Sequence, residues 1–390
     1  MRLLPFFCLL PLLAQPVPNR AESPTIAKLL PAAVDAFWTS LASTPLFEPA
    51  GAQTLVTFLW RGEAKSVQVM RTPMTRLPGS NLWHATFRYD NGSQAPYSLV
   101  IDGKAQADPR NPVRFTPALQ RPASVAKDSD LDQTSILLVP PAVASPWLDP
   151  EPGVPAGKVE ERTLHNRRIW IYTPPGYDTK RTYDLVVFFD GSSYLDEIPL
   201  PTVLDNLQAK KKIRPVIALL VDNSVNRLGE LANSRSFADF LAGELLPWAH
   251  KSWNFTSDPH RTLVAGYSAG GLAAGYVAYR HPEVFGNVFS QSGAYWRGNE
   301  GSSADFEWVA RQIAASPKLD IRFYLEVGGN EIHQALGSGP VFRDANRRLV
   351  EALKSKGYEV AYREVPAAQH EPVHWRNQLP DGLLHFLSTP

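Results

Sequence analysis

The chain has 390 residues, 44% of them apolar and 20% charged, with a formal net charge of +1. That length exceeds one average domain and accommodates two, each able to bury its own core. Without a basic excess, nucleic acid is not an expected partner, and a small molecule is.

Met1-Arg2, the apolar run from Leu3 to Leu13, and then Ala14 and Ala21 match the charged, apolar and small-residue regions of a secretory signal over residues 1–21. The run is too short to span a bilayer, so no membrane span is expected. A buried N-terminal helix is the other reading, and Pro5 and Pro11 weigh against it. The signal implies export across the inner membrane, with the processed protein in the periplasm. Cys8, the single cysteine, falls inside the signal, so the processed chain would hold no disulfide.

Val34, Phe37, Trp38 and Leu41 recur at helical spacing and predict a short helix starting near Pro31. From Thr54 the texture changes to β-rich runs at Thr54 to Trp60, Ser66 to Arg71, Leu82 to Tyr89 and Tyr97 to Ile101, separated by Gly, Pro, Asn and Asp turns. With the helix they make a small antiparallel sandwich over residues 22–139. Prolines at 140, 141, 146, 150, 152 and 155 resist helix and sheet, and residues 140–157 are read as an extended linker. Over 158–390, apolar strands (Arg168 to Tyr172, Leu185 to Phe189, Val216 to Val221, Thr262 to Ala265, Arg322 to Val327) alternate with helical stretches. That alternation predicts an α/β domain with a mostly parallel central sheet.

Gly266-Tyr267-Ser268-Ala269-Gly270 lies between one of these strands and a helix of small residues, Gly271 to Tyr279. Strand, tight turn and helix are the context of a G-x-S-x-G nucleophile elbow, which exposes the serine hydroxyl at the sheet edge of an α/β-hydrolase. A hydroxyl is a weak nucleophile near neutral pH, so it needs a base within hydrogen-bond reach and an acid to orient that base. In α/β-hydrolases the chain order is serine, acid, histidine, which confines the search to residues after Ser268. Glu331 follows the strand Arg322 to Val327 through Gly328-Gly329-Asn330 and stands where open α/β sheets build their sites. Glu326, inside the strand, is the alternative acid. His370 follows a predicted strand, Val360 to Val365, and is the expected base, with His374 in the same loop as its competitor. His385 belongs to an apolar C-terminal helix pattern and reads as a packing or surface residue. For the oxyanion of a tetrahedral intermediate, the N–H of Ala269 follows from the elbow, and the N–H of Ser192 from the turn Phe189-Asp190-Gly191 that ends an early strand. No H-E-x-x-H, no G-x-x-x-x-G-K-[ST] and no G-x-G-x-x-G occurs, so neither a metal nor a cofactor is expected.

Several segments together resemble the enterochelin esterases: Asp190-Gly191, Arg227-Leu228-Gly229-Glu230-Leu231, Phe240 to Trp248, Gly266 to Gly271, Ser290-Gln291-Ser292-Gly293-Ala294-Tyr295-Trp296, and His370-Glu371 with Trp375-Arg376. In the N-terminal half, Val56 to Arg61 and Asp108-Pro109-Arg110-Asn111-Pro112 resemble the immunoglobulin-like domain of those enzymes. The resemblance implies hydrolysis of the ester backbone of a catecholate siderophore, with or without iron, through Ser268 and His370 with Glu331 as acid. It further implies Arg227 as a substrate-binding cation and Tyr194 and Trp296 as aromatic walls. The chain departs from the family at Ser192-Ser193, where members carry an aromatic pair, and at Ala368-Gln369, where they carry glycines. Two other readings stay open: an esterase removing feruloyl or acetyl groups from plant polysaccharide, and a non-catalytic ligand-binding protein on a hydrolase fold. The sequence carries no sign of oligomeric state.

Overall fold

The computed structural model describes residues 19–126, 131–302, 305–335 and 339–389. The expected signal, including Cys8, lies outside the described residues up to position 18; its last two residues, Arg20–Ala21, form a short strand paired with Leu82–Asp90. No helix among the described residues is long and apolar enough to cross a membrane. The chain divides into two units, one of Met1–Phe115 with Lys127–Ala144 and one of Thr116–Ala126 with Ser145–Pro390.

The first unit is antiparallel throughout. One sheet runs Arg20–Ala21, Leu82–Asp90, Gln53–Arg61, Leu46–Ala50, and a second runs Lys104–Gln106, Leu99–Ile101, Val67–Val69, Thr72–Pro73. Val56, Phe58 and Phe87 from the first sheet share one core with Val67, Val69 and Leu99 from the second. Each comes from every second position of its strand, the periodicity that buries one face of a pleated ribbon. The helix expected near Pro31 spans Val34–Ser40 and packs Val34 with Leu59 and Leu82.

The second unit is built on eight strands: β1 (Lys158–Leu164), β2 (Arg167–Thr173), β3 (Asp184–Phe188), β4 (Val216–Val221), β5 (Thr262–Tyr267), β6 (Asn287–Gln291), β7 (Arg322–Gly328) and β8 (Glu359–Val365). Their order is β1-β2-β4-β3-β5-β6-β7-β8. From β4 to β8 all pairs are parallel, whereas β1 with β2 and β2 with β4 are antiparallel. The sheet is therefore mixed, with an antiparallel edge that the sequence reading did not include. For β1 and β2 the cause is local: His165 and Asn166 hold φ of +49° and +63°, the left-handed pair of a two-residue hairpin turn, and strands joined by such a turn must run antiparallel.

Leu200, Val203, Leu204 and Leu207 form the stripe of α1 (Leu200–Ala209), and Leu379, Leu383, Phe386 and Leu387 that of α4 (Pro372–Leu387); both stripes close over Val186, Phe188, Ala218, Leu220, Leu263 and Ala265 of the sheet. Each fully buried aliphatic side chain contributes about 1.5–3 kcal/mol. The segment Thr116–Ala126, read from sequence as part of the sandwich, belongs to this unit: Ala118 N–H bonds to Leu195 O, Gln120 to Asp205, and Val125 joins the core. The division falls at Ala144 and Ser145, inside the proline-rich stretch. Because β3, β5, β6, β7 and β8 are parallel, the loops that follow them emerge at one edge of the sheet, where sites of open α/β folds are built.

Candidate active site

β5 ends at Tyr267 and α3 (Ala269–Arg280) begins at Ala269, so Ser268 makes the whole connection. Its backbone sits at φ +55°, ψ −120°, a strained conformation held by three bonds: Ser268 N–H to Gln291 O, and Ala294 N–H and Leu272 N–H to Ser268 O. A Cβ on Gly266 would meet the carbonyl carbon of Gly270 at 2.6 Å, and one on Gly271 would meet Ser290 Oγ at 2.6 Å. Gly270 is less constrained, since its Cβ would find Asp190 Oδ2 at 3.4 Å. The turn therefore depends on Gly266 and Gly271 more than on the symmetric pair of the motif. Ser268 is only 3% exposed; the hydroxyl is recessed, not displayed at the edge as the sequence suggested.

The three residues expected to meet do so. Ser268 Oγ lies 2.9 Å from His370 Nε2, and His370 Nδ1 lies 2.7 Å from Glu331 Oε2. A carboxylate only accepts, so Nδ1 carries the proton, leaving Nε2 as the lone pair to which the serine donates. His370 follows β8 in the loop Pro366 to Glu371, its ring 4.6 Å from that of Phe342 and edge-on to Trp375 at 4.9 Å. Glu331 is buried, and its Oε1 accepts from Gly328 N–H at 2.7 Å and, in a short bond, from the Ser292 hydroxyl, which accepts from Trp375 Nε1 at 2.9 Å. Three donors thus converge on one carboxylate. Ser292 and Trp375 were not foreseen in these roles, and no local sequence signal marks either one.

His374 is buried in the first turn of α4 and is not part of this chain of bonds; His385 is exposed, against Tyr324 and Phe386. Glu326, the alternative acid, lies one layer deeper. Its Oε1 accepts from Gln291 Nε2 at 2.6 Å, while Oε2 has no partner among the described residues. Burial pushes its carboxyl up to about 8, so it is neutral at pH 7. The folded state then binds a proton that the unfolded state, titrating in the ordinary carboxyl range, has released. The contribution of Glu326 to stability is complete below about pH 4.5 and is lost as pH rises to about 8, by an amount on the order of several kcal/mol. Glu326→Gln, which cannot titrate, should unfold at increasingly higher temperature than the wild type as pH goes from 5 to 8.5. Thermal melts at the two pH values with an unchanged gap would remove this reading.

The N–H groups of Ala269, first in α3, and of Ser192, in the turn after β3, make no hydrogen bond within the described residues. The turn itself is anchored by Gly191 N–H to Val221 O and Asp190 N–H to Asn223 Oδ1. Gly191 cannot carry a side chain, because a Cβ would stand 2.7 Å from the carbonyl carbon of Leu220. Arg227, in the short helix α2 (Arg227–Leu231), is held fork to fork by Asp190, Nε to Oδ1 at 2.6 Å and Nη2 to Oδ2 at 2.7 Å, with its guanidinium 5.8 Å from the Tyr267 ring. Tyr194 is fully buried against Phe188 and Tyr267, with its hydroxyl toward Gln291. It fills the core behind the nucleophile and is not an aromatic wall. Trp296 is 2% exposed, edge-on to Phe342, and it too offers no open ring face.

Comparison with known proteins accords with this geometry. The family model described as Esterase, putative esterase, matches residues 161–386. The chain is 28% identical over 434 residues to the iron(III) enterobactin esterase of Dickeya dadantii, covering 95% of this chain and 98% of that protein. The crystal structure of the enterobactin esterase of Shigella flexneri in the presence of enterobactin superposes with a TM-score of 0.71 at 25% identity, covering 92% of this chain and 99% of that one. A ferulic acid esterase of Anaeromyces mucronatus shares the fold alone, with a TM-score of 0.51 at 18% identity over 62% of this chain.

Proposed function

The chain belongs to the esterase family and is a carboxylic-ester hydrolase, and from that premise we propose that Ser268 attacks the ester backbone of a catecholate siderophore, iron-loaded or free. The observation that carries the substrate is the extent of similarity: likeness to the enterobactin esterases runs through both units, whereas likeness to the ferulic acid esterase covers only part of the chain. We read the all-β unit as the immunoglobulin-like domain of that family and the N-terminal apolar segment as a signal that delivers the enzyme to the periplasm.

The reaction follows from the hydrogen bonds. His370 Nε2 takes the serine proton as Oγ adds to the carbonyl, and Glu331 stabilises the imidazolium that forms. The N–H groups of Ala269 and Ser192 receive the oxyanion, each donor being worth about 10²–10³ in rate. As the ester C–O bond breaks, His370 gives the proton to the departing alkoxide, releasing the alcohol, and water repeats the sequence on the acyl-enzyme. Arg227, positioned by Asp190 beside the elbow, supplies positive potential for an anionic catecholate.

The test is competitive: purified enzyme is offered enterobactin, ferric enterobactin and a feruloylated arabinoxylan fragment. Release of dihydroxybenzoyl-serine at a kcat/KM at least tenfold above that for ferulate is expected. Faster ferulate release would assign the enzyme to plant polysaccharide. A protein that hydrolyses none of these and takes no fluorophosphonate on Ser268 would be a binding protein.

A further inference from the structure

The loop after β6 folds back across the nucleophile. Ala294 N–H holds the carbonyl of Ser268 at 2.9 Å, and Arg297 N–H closes a turn onto Ala294 O at 3.0 Å. Arg297 is 9% exposed, its guanidinium 4.5 Å from the centroid of the Trp296 ring. Its Nε has no hydrogen-bond partner, and no carboxylate meets the group among the described residues. Three part-buried arginines of this unit do sit in ion pairs: Arg227 with Asp190, Arg167 with Glu230, Arg168 with Asp222. Burial, with a smaller contribution from the positive charge of Arg227, depresses the Arg297 guanidinium from the ordinary value. The indole N–H of Trp296 is likewise buried without an acceptor. The Trp296 ring abuts Phe342, which abuts His370.

Two adjacent residues thus present orphaned donors, one of them charged, on the turn that clasps the nucleophile. A buried guanidinium without a counter-charge is costly, and buried donors in folded proteins are almost always satisfied. The indole lies 4.5 Å from the guanidinium, whose fork suits a bidentate acceptor. The geometry points to Arg297, on the turn that holds the nucleophile, as the receptor for an oxyanion carried by the ester substrate, a carboxylate or a catecholate oxygen close to the scissile bond. This rests on Ser268 as the nucleophile and adds to Arg227, whose guanidinium Asp190 holds in place, a second cation for the substrate's anionic group.

Two p-nitrophenyl esters of equal acyl length test it, the neutral butyrate and the anionic hemisuccinate. Arg297→Gln should lower kcat/KM on the hemisuccinate by roughly 10–100-fold, mainly through KM, and leave the butyrate within about twofold; Arg297→Lys should recover part of the loss. On the wild type, where no variant has to fold, benzoate should inhibit butyrate hydrolysis at least tenfold more strongly than benzamide. Parallel losses on both esters, no loss on either, or equal inhibition by benzoate and benzamide would each overturn the assignment. If Ser268→Ala leaves both turnovers intact, the nucleophile reading fails instead; calorimetric binding of benzoate against benzamide to that variant still decides the role of Arg297.

Discussion

Ser268→Ala should hydrolyse an activated ester at least 10³-fold more slowly than the wild type, the scale on which deletion of a triad member is felt, or about 4 kcal/mol in barrier height. The substitution removes one atom, Oγ, whose bond is to His370 Nε2. The backbone bonds that hold the strained turn, to Gln291, Leu272 and Ala294, involve only main-chain groups and persist. Melting temperature should therefore move by no more than a few degrees while turnover collapses. The residual rate would come from the two N–H donors, which do not depend on the hydroxyl. For the same reason His370→Ala should cost about as much as Ser268→Ala, and the double variant little more, because residues acting as a unit are not additive. Turnover within tenfold of the wild type in Ser268→Ala, measured on protein shown to be folded, would end the serine mechanism.

Much of the site was legible because the elbow forces its own signature. A strand that must turn into a helix in one residue requires a missing Cβ at Gly266 and a small-residue helix start behind Ser268, and both are visible in sequence. Strands buried on both faces read as continuous apolar runs, which located the parallel β3, β5 and β7, and also β4 and the antiparallel β2, within a residue or two. β6 was not readable: Asn287-Val288-Phe289-Ser290-Gln291 is fully buried yet three-fifths polar, because Asn287 ties off the carbonyls of His260 and Thr262 and Gln291 bridges Glu326 to Trp375 O. β1 was missed for the opposite reason, being an edge strand of largely charged residues with no apolar alternation. Tyr194 shows the limit of reasoning from a resemblance alone. An aromatic residue near the nucleophile in the chain can turn inward as easily as outward, and only the packing of Ser192 to Ile198 beneath β3 decides which.

The choice between the two acids leads to the second large effect. Glu331→Gln should lower kcat by roughly 10³–10⁴-fold, while Glu326→Gln should leave it nearly unchanged at pH 7. The difference is in the donors each carboxyl faces. Glu331 accepts from His370 Nδ1 on one oxygen and from Gly328 N–H and the Ser292 hydroxyl on the other. Glutamine has one accepting atom, so its NH₂ must face one side or the other. If the NH₂ points at His370, Nδ1 is compelled to accept; the proton moves to Nε2, and the base can no longer take the serine proton. If it points at Gly328, two buried donors confront each other at hydrogen-bond distance, which costs about 1–3 kcal/mol and displaces the loop that carries the residue. Neither orientation preserves both function and fold. Glu326, by contrast, is already uncharged near neutrality and accepts from Gln291 on a single oxygen, which an amide oxygen reproduces. Steady-state kinetics of the two variants at pH 7, with melts to show both are folded, separates the roles. Comparable losses in both would mean that charge in this region, not the orientation of His370, governs the rate.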